Sequence, residues 1–294
     1  MKRSRRSLLP WDVALIAGLL GAGVGAVGAA ERSGQALDLP PDMARIAAAG
    51  ELRIALTTDD WPPFFFTHPT RGLVGLDIDL AREMAGRLGV EVRFVREAKT
   101  FDDLVTLVVN RRADLAVAYL SDTLERSVRA AFSQPYVQLK PAVLINRALA
   151  GQARRGPDLN ALLNHPDATI GVTLGSSAET FAAIDYPQAR LVKFEAWSDI
   201  TRALETETLL AGFSDQIDAQ KWQSEHPEAA ISIETVMLAG PPDTIAVAVH
   251  FEDRQLRYWL DHFLAVKHRD GSLARLNHYY VGSDLWKKDL SASP

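Results

Sequence analysis

Strand-like apolar runs alternate with amphipathic helical patterns along this chain, and this alternation is what most constrains its fold. In the first half, Leu76, Leu80 and Met84 recur at the four-residue spacing of one helix face. Strand, helix, strand, helix and strand patterns occupy residues 51–58, 76–89, 90–95, 100–112 and 113–120. Because a helix between two strands crosses one face of a sheet, this order predicts a mainly parallel sheet with helices packed on it.

The second half of the chain repeats the same order. Strand, helix, strand, helix and strand patterns follow at residues 168–174, 175–184, 189–194, 197–206 and 209–214. A further apolar run at 244–250 and a long amphipathic pattern at 253–271 come later. Two similar units predict an α/β fold of two lobes, with a ligand cleft between them at the carboxyl ends of the strands.

The first thirty residues predict an export signal that is cleaved from the mature protein. A basic start precedes an apolar run rich in glycine and alanine, residues 13–30, and small residues suit cleavage near Ala29 or Ala30. The alternative is a membrane anchor, because the run is just long enough to span a bilayer. Its glycine content makes it weakly hydrophobic, however, so we expect a cleaved signal and a periplasmic protein.

Composition argues against several kinds of partner and site. The whole chain has a formal net charge of −5, and removing four basic residues and one acidic residue with the signal makes it −8. An acidic surface argues against nucleic acid or an anionic membrane as a partner. The chain has no cysteine and its seven histidines lack the spacing of metal ligands, so we expect neither a metal nor another cofactor.

Arg126 is the first candidate for ligand binding. It follows the strand pattern at 113–120 and lies in the predicted turn that begins at Ser121. A guanidinium offers a planar fork that matches a carboxylate. The alternative is a surface arginine that pairs with Asp122 or Glu125.

Further candidates lie where strand patterns of the second half end. Ser176 and Ser177 follow Gly175 at a strand-to-helix turn, where the free N–H groups of a helix start favour an anion. Asp215 ends the apolar run 209–214 and could hold an ammonium group. Each has an ordinary structural alternative, because serine and aspartate are also common N-caps of helices.

The remaining candidate is aromatic. Trp61 precedes two prolines in a predicted loop and could cover a ligand, although some of the neighbouring aromatic residues must belong to the core.

These candidates together predict a site for an α-amino acid. They supply an arginine, a helix start, a carboxylate and an aromatic ring, divided between the two lobes. In this hypothesis Arg126 and the Ser177 helix start bind the carboxylate, and Asp215 binds the ammonium.

Five motifs, taken together, resemble one known family. They are LRIALTTDDWPPFFF, GLDIDLAREMAGRLG, ADLAVAYLSDTLERSVRAAFSQPY, TIGVTLGSSAET and DGSLARL. In this order, over about residues 50–283, they resemble the bacterial extracellular solute-binding proteins, family 3, the periplasmic receptors of polar amino acid ABC transporters. The resemblance implies a type II periplasmic-binding-protein fold that closes about a hinge of two crossing strands. It also implies a protein that captures a small amino acid-like ligand for an ABC importer.

The resemblance assigns ligand-binding roles to positions that match the family's motifs. These positions are Trp61, Ser121, Arg126, Ser176, Ser177 and Asp215. Tyr119 departs from the pattern, because the family often has a small residue there. We expect Tyr119 to line the pocket and to narrow it.

The resemblance also divides the chain into segments. These are a signal peptide at 1–30, a linker at 31–50, lobe 1 at 51–139 and 242–285, lobe 2 at 140–241 and a tail at 286–294. The expected partners are a small-molecule ligand and an inner-membrane ABC permease, and the expected state is a monomer.

Other functions share this fold, namely sensor modules, regulatory halves of peptidoglycan lyases and dehydratases of aromatic amino acid precursors. Sensors and lyases would need further domains. A cyclohexadienyl dehydratase-like enzyme would need a general acid in the cleft, for which Glu125 and Glu179 are the candidates. We expect a binding protein and not an enzyme.

Overall fold

Two five-stranded sheets covered by helices form the framework of the protein. The structure is a computed structural model, and it describes residues 39–153, 158–283 and 285–291. The predicted signal peptide, residues 1–30, lies outside the described residues. Within the described part of the chain, no helix has both the length and the apolar character needed to cross a membrane.

The chain builds most of one lobe, then the other, and then returns. The first lobe contains α1 (Pro41–Ala49), β1 (Glu51–Thr57), β2 (Phe66–His68), β3 (Gly72–Val74), α2 (Leu76–Leu88), β4 (Glu91–Ala98), α3 (Phe101–Val109), β5 (Leu115–Ala116), α4 (Leu124–Ser127) and β6 (Ala131–Phe132). A hinge strand follows, β7 (Val137–Leu139).

The second lobe comes next. It contains β8 (Pro141–Asn146), α5 (Arg147–Gln152), α6 (Leu159–Leu163), β9 (Thr169–Thr173), α7 (Ser177–Asp185), β10 (Arg190–Phe194), α8 (Trp197–Glu205), β11 (Ala211–Asp215), α9 (Gln216–Glu225), a short 3₁₀ helix (Pro227–Ile231) and β12 (Ile233–Met237). The chain returns to the first lobe through β13 (Asp243–Ile245), β14 (Ala248–Val249), α10 (Arg254–Arg269), α11 (Ser272–Tyr280) and α12 (Leu285–Ser291).

Both sheets are mainly parallel, as the sequence predicts. The strand order is β4-β1-β5-β14-β6 in the first lobe and β10-β9-β11-β8-β12 in the second. In each sheet four strands run in one direction and a single strand, β14 or β8, runs against them. Each reversed strand is the one that follows a crossing between the lobes. The predicted two-lobed α/β fold is therefore confirmed.

The two crossings lie side by side. β7 and β13 pair in antiparallel orientation, with Val137 opposite Ile245 and Leu139 opposite Asp243. Two adjacent extended segments form a connection about which lobes of this kind rotate when they close.

Local sequence explains where two helices of the first lobe begin. α3 starts with a capping box, in which Thr100 and Asp103 exchange hydrogen bonds between side chain and backbone. α2 starts after Gly75, which has a φ of 128°. A Cβ at Gly75 would lie 2.2 Å from the carbonyl oxygen of Phe64, so only glycine fits this turn.

Asp77 is fully buried and connects two segments of the first lobe. Its carboxylate accepts hydrogen bonds from the hydroxyl of Tyr136, at 2.8 Å, and from the N–H of Tyr119, at 2.7 Å. Burial raises the pKa of Asp77 to about 7, although these two hydrogen bonds act in the opposite direction. Asp77 thus fixes the backbone at the end of the β5 segment.

Several predicted segments differ from the structure. The strand pattern at 113–120 is paired only at Leu115–Ala116, and beyond it Tyr119 leaves the extended conformation with a φ of 53°. The predicted linker at 31–50 contains α1, whose Ile46 is buried in the core. The predicted tail at 286–294 overlaps α12.

Replacing Asp77 by asparagine should change how stability depends on pH. A pKa raised above that of the unfolded chain means that the folded protein holds the proton more tightly. The contribution of this carboxyl to the free energy of unfolding therefore falls as pH rises from about 4 to about 7. The variant lacks this slope, so its stability relative to wild type should rise from about pH 5 to about pH 8 in urea unfolding. A difference that stays constant with pH would contradict a raised pKa at Asp77.

Candidate functional site

One pocket between the lobes brings all the predicted site residues together. The residues that line it include Trp61, Tyr119, Ser121, Arg126, Ser176, Ser177 and Asp215. They follow strands β1, β5, β9 and β11 or end them, so they meet at the carboxyl ends of parallel strands. Phe101, Phe181, Asp218 and Asp243 line the same pocket and were not singled out from the sequence.

Arg126 is buried and held by both lobes. Its Nε donates to Asp102 at 3.0 Å, and its Nη1 donates to the carbonyl oxygen of Ser121 at 3.1 Å. Its Nη2 crosses the cleft and donates to the carbonyl oxygen of Gly175 at 3.0 Å. The side chain is 6% exposed, so it is not the surface arginine of the alternative hypothesis. Arg129, one turn further on, is exposed and donates to Thr106.

The start of α7 lies beside this guanidinium. Ser176 occupies the N-cap position, but its hydroxyl donates to the carbonyl oxygen of Thr173 at 2.7 Å and caps nothing. The first N–H groups of any helix lack partners within the helix. Because Arg126 contacts Gly175, two residues before α7, the guanidinium and this helix start face one part of the pocket. A guanidinium and a helix start both attract anionic groups, and the carboxylates of Asp102 and Asp243 already contact them.

Asp215 lies in the pocket and also caps a helix. Its Oδ1 accepts a hydrogen bond from the N–H of Ile217 at 2.7 Å, which makes Asp215 the N-cap of α9. Its Oδ2 accepts a hydrogen bond from the hydroxyl of Tyr119 on the opposite lobe. Asp215 is therefore an N-cap, as the structural alternative predicts, and it also lines the pocket.

Aromatic rings form the wall of the pocket on the first lobe. Tyr119 stacks on Phe64 with a centroid distance of 4.1 Å and an interplanar angle of 13°. Trp61 lies 5.1 Å from Phe101 and 5.9 Å from Tyr119, again between ring centroids. The Nε1 of Trp61 is buried and has no hydrogen-bond partner among the described residues. Tyr119 lines the pocket, as expected, and reaches across it to the second lobe.

Two carboxylates that line the pocket were not predicted from the sequence. Asp218 lies in the first turn of α9, three residues after the N-cap Asp215, a spacing that places both side chains on one side of the helix start. Asp243 begins the hinge strand β13 after two prolines, and nothing in that local pattern indicates a site. Ser214 donates to Asp218 at 2.7 Å.

The pocket holds more acidic than basic groups. Among the residues that the structure describes, Asp215, Asp218 and Asp243 line it together with a single guanidinium, that of Arg126. Burial raises the pKa of all three carboxyls, that of Asp243 to about 6. For Asp243, hydrogen bonds from two serine hydroxyls and the charge of Arg126 offset part of this rise. Such a pocket favours a ligand that brings positive charge.

The two glutamates considered as general acids are not placed for that role. Glu125 is exposed. Burial raises the pKa of Glu179, but hydrogen bonds from Lys193 and from the N–H of Gly175 outweigh this effect and lower it. A carboxyl with a lowered pKa is a poor proton donor near neutral pH.

Comparison with known proteins identifies one family. Residues 52–283 match the model of the bacterial extracellular solute-binding proteins, family 3. The ABC transporter arginine-binding protein 1 of Escherichia coli is 23% identical over 227 residues, which cover 77% of this chain and 86% of the relative. The cyclohexadienyl dehydratase of Pseudomonas aeruginosa is 27% identical over 237 residues, which cover 80% of this chain and 84% of that protein.

A solved structure agrees with these sequence relatives. The ancestral amino acid-binding protein AncCDT-1, described as a precursor of cyclohexadienyl dehydratase, superposes with a TM-score of 0.66 at 25% identity. The superposition covers 81% of this chain and 98% of that chain.

Gly175→Ala should weaken ligand binding through a contact between the lobes. Gly175 has a φ of 69°, and a Cβ there would lie 3.2 Å from the Cβ of Thr100 on the first lobe. Gly50→Ala is the matched control, because Gly50 has a φ of 65° and nothing within 4 Å of an added Cβ. Both variants should lose about 1 kcal/mol of stability to backbone strain, but only Gly175→Ala should lose affinity for an amino acid in calorimetry. Equal affinities in the two variants would mean that the lobes do not close against Gly175.

Proposed function

This chain belongs to the bacterial extracellular solute-binding proteins, family 3, and we propose that it captures a small α-amino acid and delivers it to an ABC importer. The match over residues 52–283 confirms the family predicted from the motifs. The proposed ligand class is supported by the chemistry of the pocket.

The fixed guanidinium of Arg126 is the observation that carries the proposal. Asp102, the carbonyl of Ser121 and the carbonyl of Gly175 take three of its five N–H bonds. One N–H on each Nη nitrogen is thereby left for a ligand. A carboxylate accepts two parallel hydrogen bonds from such a pair, and the start of α7 adds further donors.

The acidic groups favour a ligand with an ammonium group over a plain carboxylate. Three carboxyls share the pocket with one guanidinium, so a zwitterion or a cation reduces the repulsion among them. The E. coli relative is named for arginine and the solved neighbour for amino acids, which supports the same ligand class.

The proposed role in transport depends on closure of the lobes. Arg126 donates to Gly175, and Tyr119 donates to Asp215, so hydrogen bonds join the lobes on two sides of the pocket. A ligand that contacts both lobes stabilises the closed form, which a permease would distinguish from the open form. A periplasmic location, an inner-membrane ABC permease as partner and a monomeric state complete the proposal.

A dehydratase is the second candidate, because one relative is a cyclohexadienyl dehydratase and Asp243 is a buried acid in the pocket. Its pKa of about 6 would let it donate a proton near neutral pH. Incubation with prephenate, followed by ultraviolet absorbance of an aromatic product, separates the two functions. We expect no turnover. Turnover that is lost in Asp243→Asn would favour the enzyme.

Arg126→Ala should abolish most of the affinity for an amino acid. A thermal-shift screen of the standard L-amino acids identifies the probe, since a ligand of the folded state raises the melting temperature. Truncating one partner of a buried charged pair costs about 2–5 kcal/mol, so affinity should fall roughly 30-fold to several thousand-fold in calorimetry. Arg126→Lys should recover only part of the loss, because it keeps the charge but not the fork.

Arg129→Ala is the matched control, because Arg129 is an exposed arginine of the same turn region. It should bind the amino acid as wild type does. A second control is the decarboxylated amine of the same amino acid, whose affinity should depend little on Arg126. Unchanged amino acid affinity in a folded Arg126→Ala protein would contradict the proposed ligand class.

A further inference from the structure

Asp243 has one carboxylate oxygen that no described residue satisfies. Its Oδ2 accepts hydrogen bonds from the hydroxyl of Ser121 on the first lobe, at 2.8 Å, and of Ser177 on the second lobe, at 3.1 Å. Its Oδ1 is buried and has no partner among the described residues. The residue as a whole is 6% exposed and lines the pocket. A buried acceptor without a donor is costly, so this oxygen marks a position where a donor is required.

Asp215 does not offer such an oxygen. One of its oxygens caps α9 through the N–H of Ile217, and the other accepts from Tyr119. The sequence hypothesis assigns the ligand's ammonium to Asp215, whose two oxygens each already accept one hydrogen bond. Asp218 is also partly committed, because it accepts from Ser214.

Ser121 shows how close Asp243 lies to Arg126. The carbonyl oxygen of Ser121 accepts from Nη1 of Arg126 at 3.1 Å, and its hydroxyl donates to Asp243 at 2.8 Å. The Arg126 guanidinium and the Asp243 carboxylate are therefore both hydrogen-bonded to the same residue, Ser121, and lie close together. In an α-amino acid the carboxylate and the ammonium are attached to one carbon, so both can be paired at once by two charges this close.

We infer that Oδ1 of Asp243, and not Asp215, accepts a hydrogen bond from the α-ammonium group of the ligand. This inference rests on the proposed function and makes its ligand contacts specific. It also changes the role of two predicted site residues. Ser121 and Ser177 hold Asp243 in place through their hydroxyls instead of binding the ligand's carboxylate with them. Asp215, braced by Tyr119 and α9, is then left to face the ligand's side chain.

The test compares Asp243→Asn with Asp215→Asn on three probes. The probes are the L-amino acid with the largest thermal shift, its des-amino carboxylic acid and its decarboxylated amine. For L-arginine these analogues are 5-guanidinopentanoic acid and agmatine. Asparagine has the shape of aspartate and can still accept from the serine hydroxyls, but it cannot pair with an ammonium as a charge.

Asp243→Asn should lower affinity for the amino acid roughly 30-fold to several thousand-fold and leave the des-amino acid bound as well as in wild type. Asp215→Asn should weaken both of these probes by similar factors. Asp243→Asn keeps the shape of the side chain and removes the cost of burying its charge, so the ligand-free variant should melt no lower than wild type. Loss of binding with a lowered melting temperature would mark a structural role and overturn the inference.

The remaining outcomes separate the inference from the proposed function. If Asp215→Asn shows the selective loss and Asp243→Asn does not, the ammonium lies on Asp215 and the inference is wrong, while the amino acid proposal stands. If wild-type protein shows no thermal shift with any L-amino acid, the proposed function fails and the inference fails with it.

Discussion

The hydrogen bonds of the buried Arg126 guanidinium connect the two lobes at the pocket. A buried guanidinium must have partners for its N–H groups, because each unpaired donor in a dry site is costly. Arg126 finds one partner in Asp102, one in its own turn and one in Gly175 on the other lobe. Rotating the second lobe away would remove the last of these hydrogen bonds. If the ligand's carboxylate binds Arg126, as proposed, ligand binding and lobe closure are coupled through one side chain.

The carboxyl groups of Asp215, Asp218 and Asp243 line the same pocket as the Arg126 guanidinium. Their raised pKa values show that burial makes the charged forms costly. A ligand with an ammonium group lowers that cost, whereas an anion alone raises it. We therefore expect the pocket to prefer ligands that carry a positive charge, whatever their side chain. The ring of Tyr119, stacked on Phe64, keeps the hydroxyl that reaches Asp215 in place.

Much of the site followed from strand order alone. In a parallel sheet the residues after each strand meet at one edge, so Arg126, Ser177 and Asp215 could be placed in one cleft from the sequence. Asp243 could not, because it becomes a pocket residue only when β13 pairs with β7 at the hinge. That pairing joins residues about a hundred positions apart and has no local signal.

Other parts of the fold could not be predicted from the sequence, for similar reasons. β8 is fully buried and begins with a proline, so it shows neither alternation nor a clear start. The conformation of Tyr119, with a φ of 53°, is stabilised by a hydrogen bond from its N–H to Asp77, 42 residues earlier in the chain. Polar residues and prolines before residue 51 indicated a linker, but α1 gains its stability from packing against α10, far along the sequence.

The most direct measurement is a crystal structure of the protein grown with the amino acid that gives the largest thermal shift. The ligand's carboxylate should lie within about 3.2 Å of both Nη atoms of Arg126. Its ammonium should lie within about 3.2 Å of Oδ1 of Asp243, between closed lobes. A ligand bound in the cleft with its carboxylate away from Arg126, or a ligand bound outside the cleft, would contradict recognition of an amino acid by its two opposite charges.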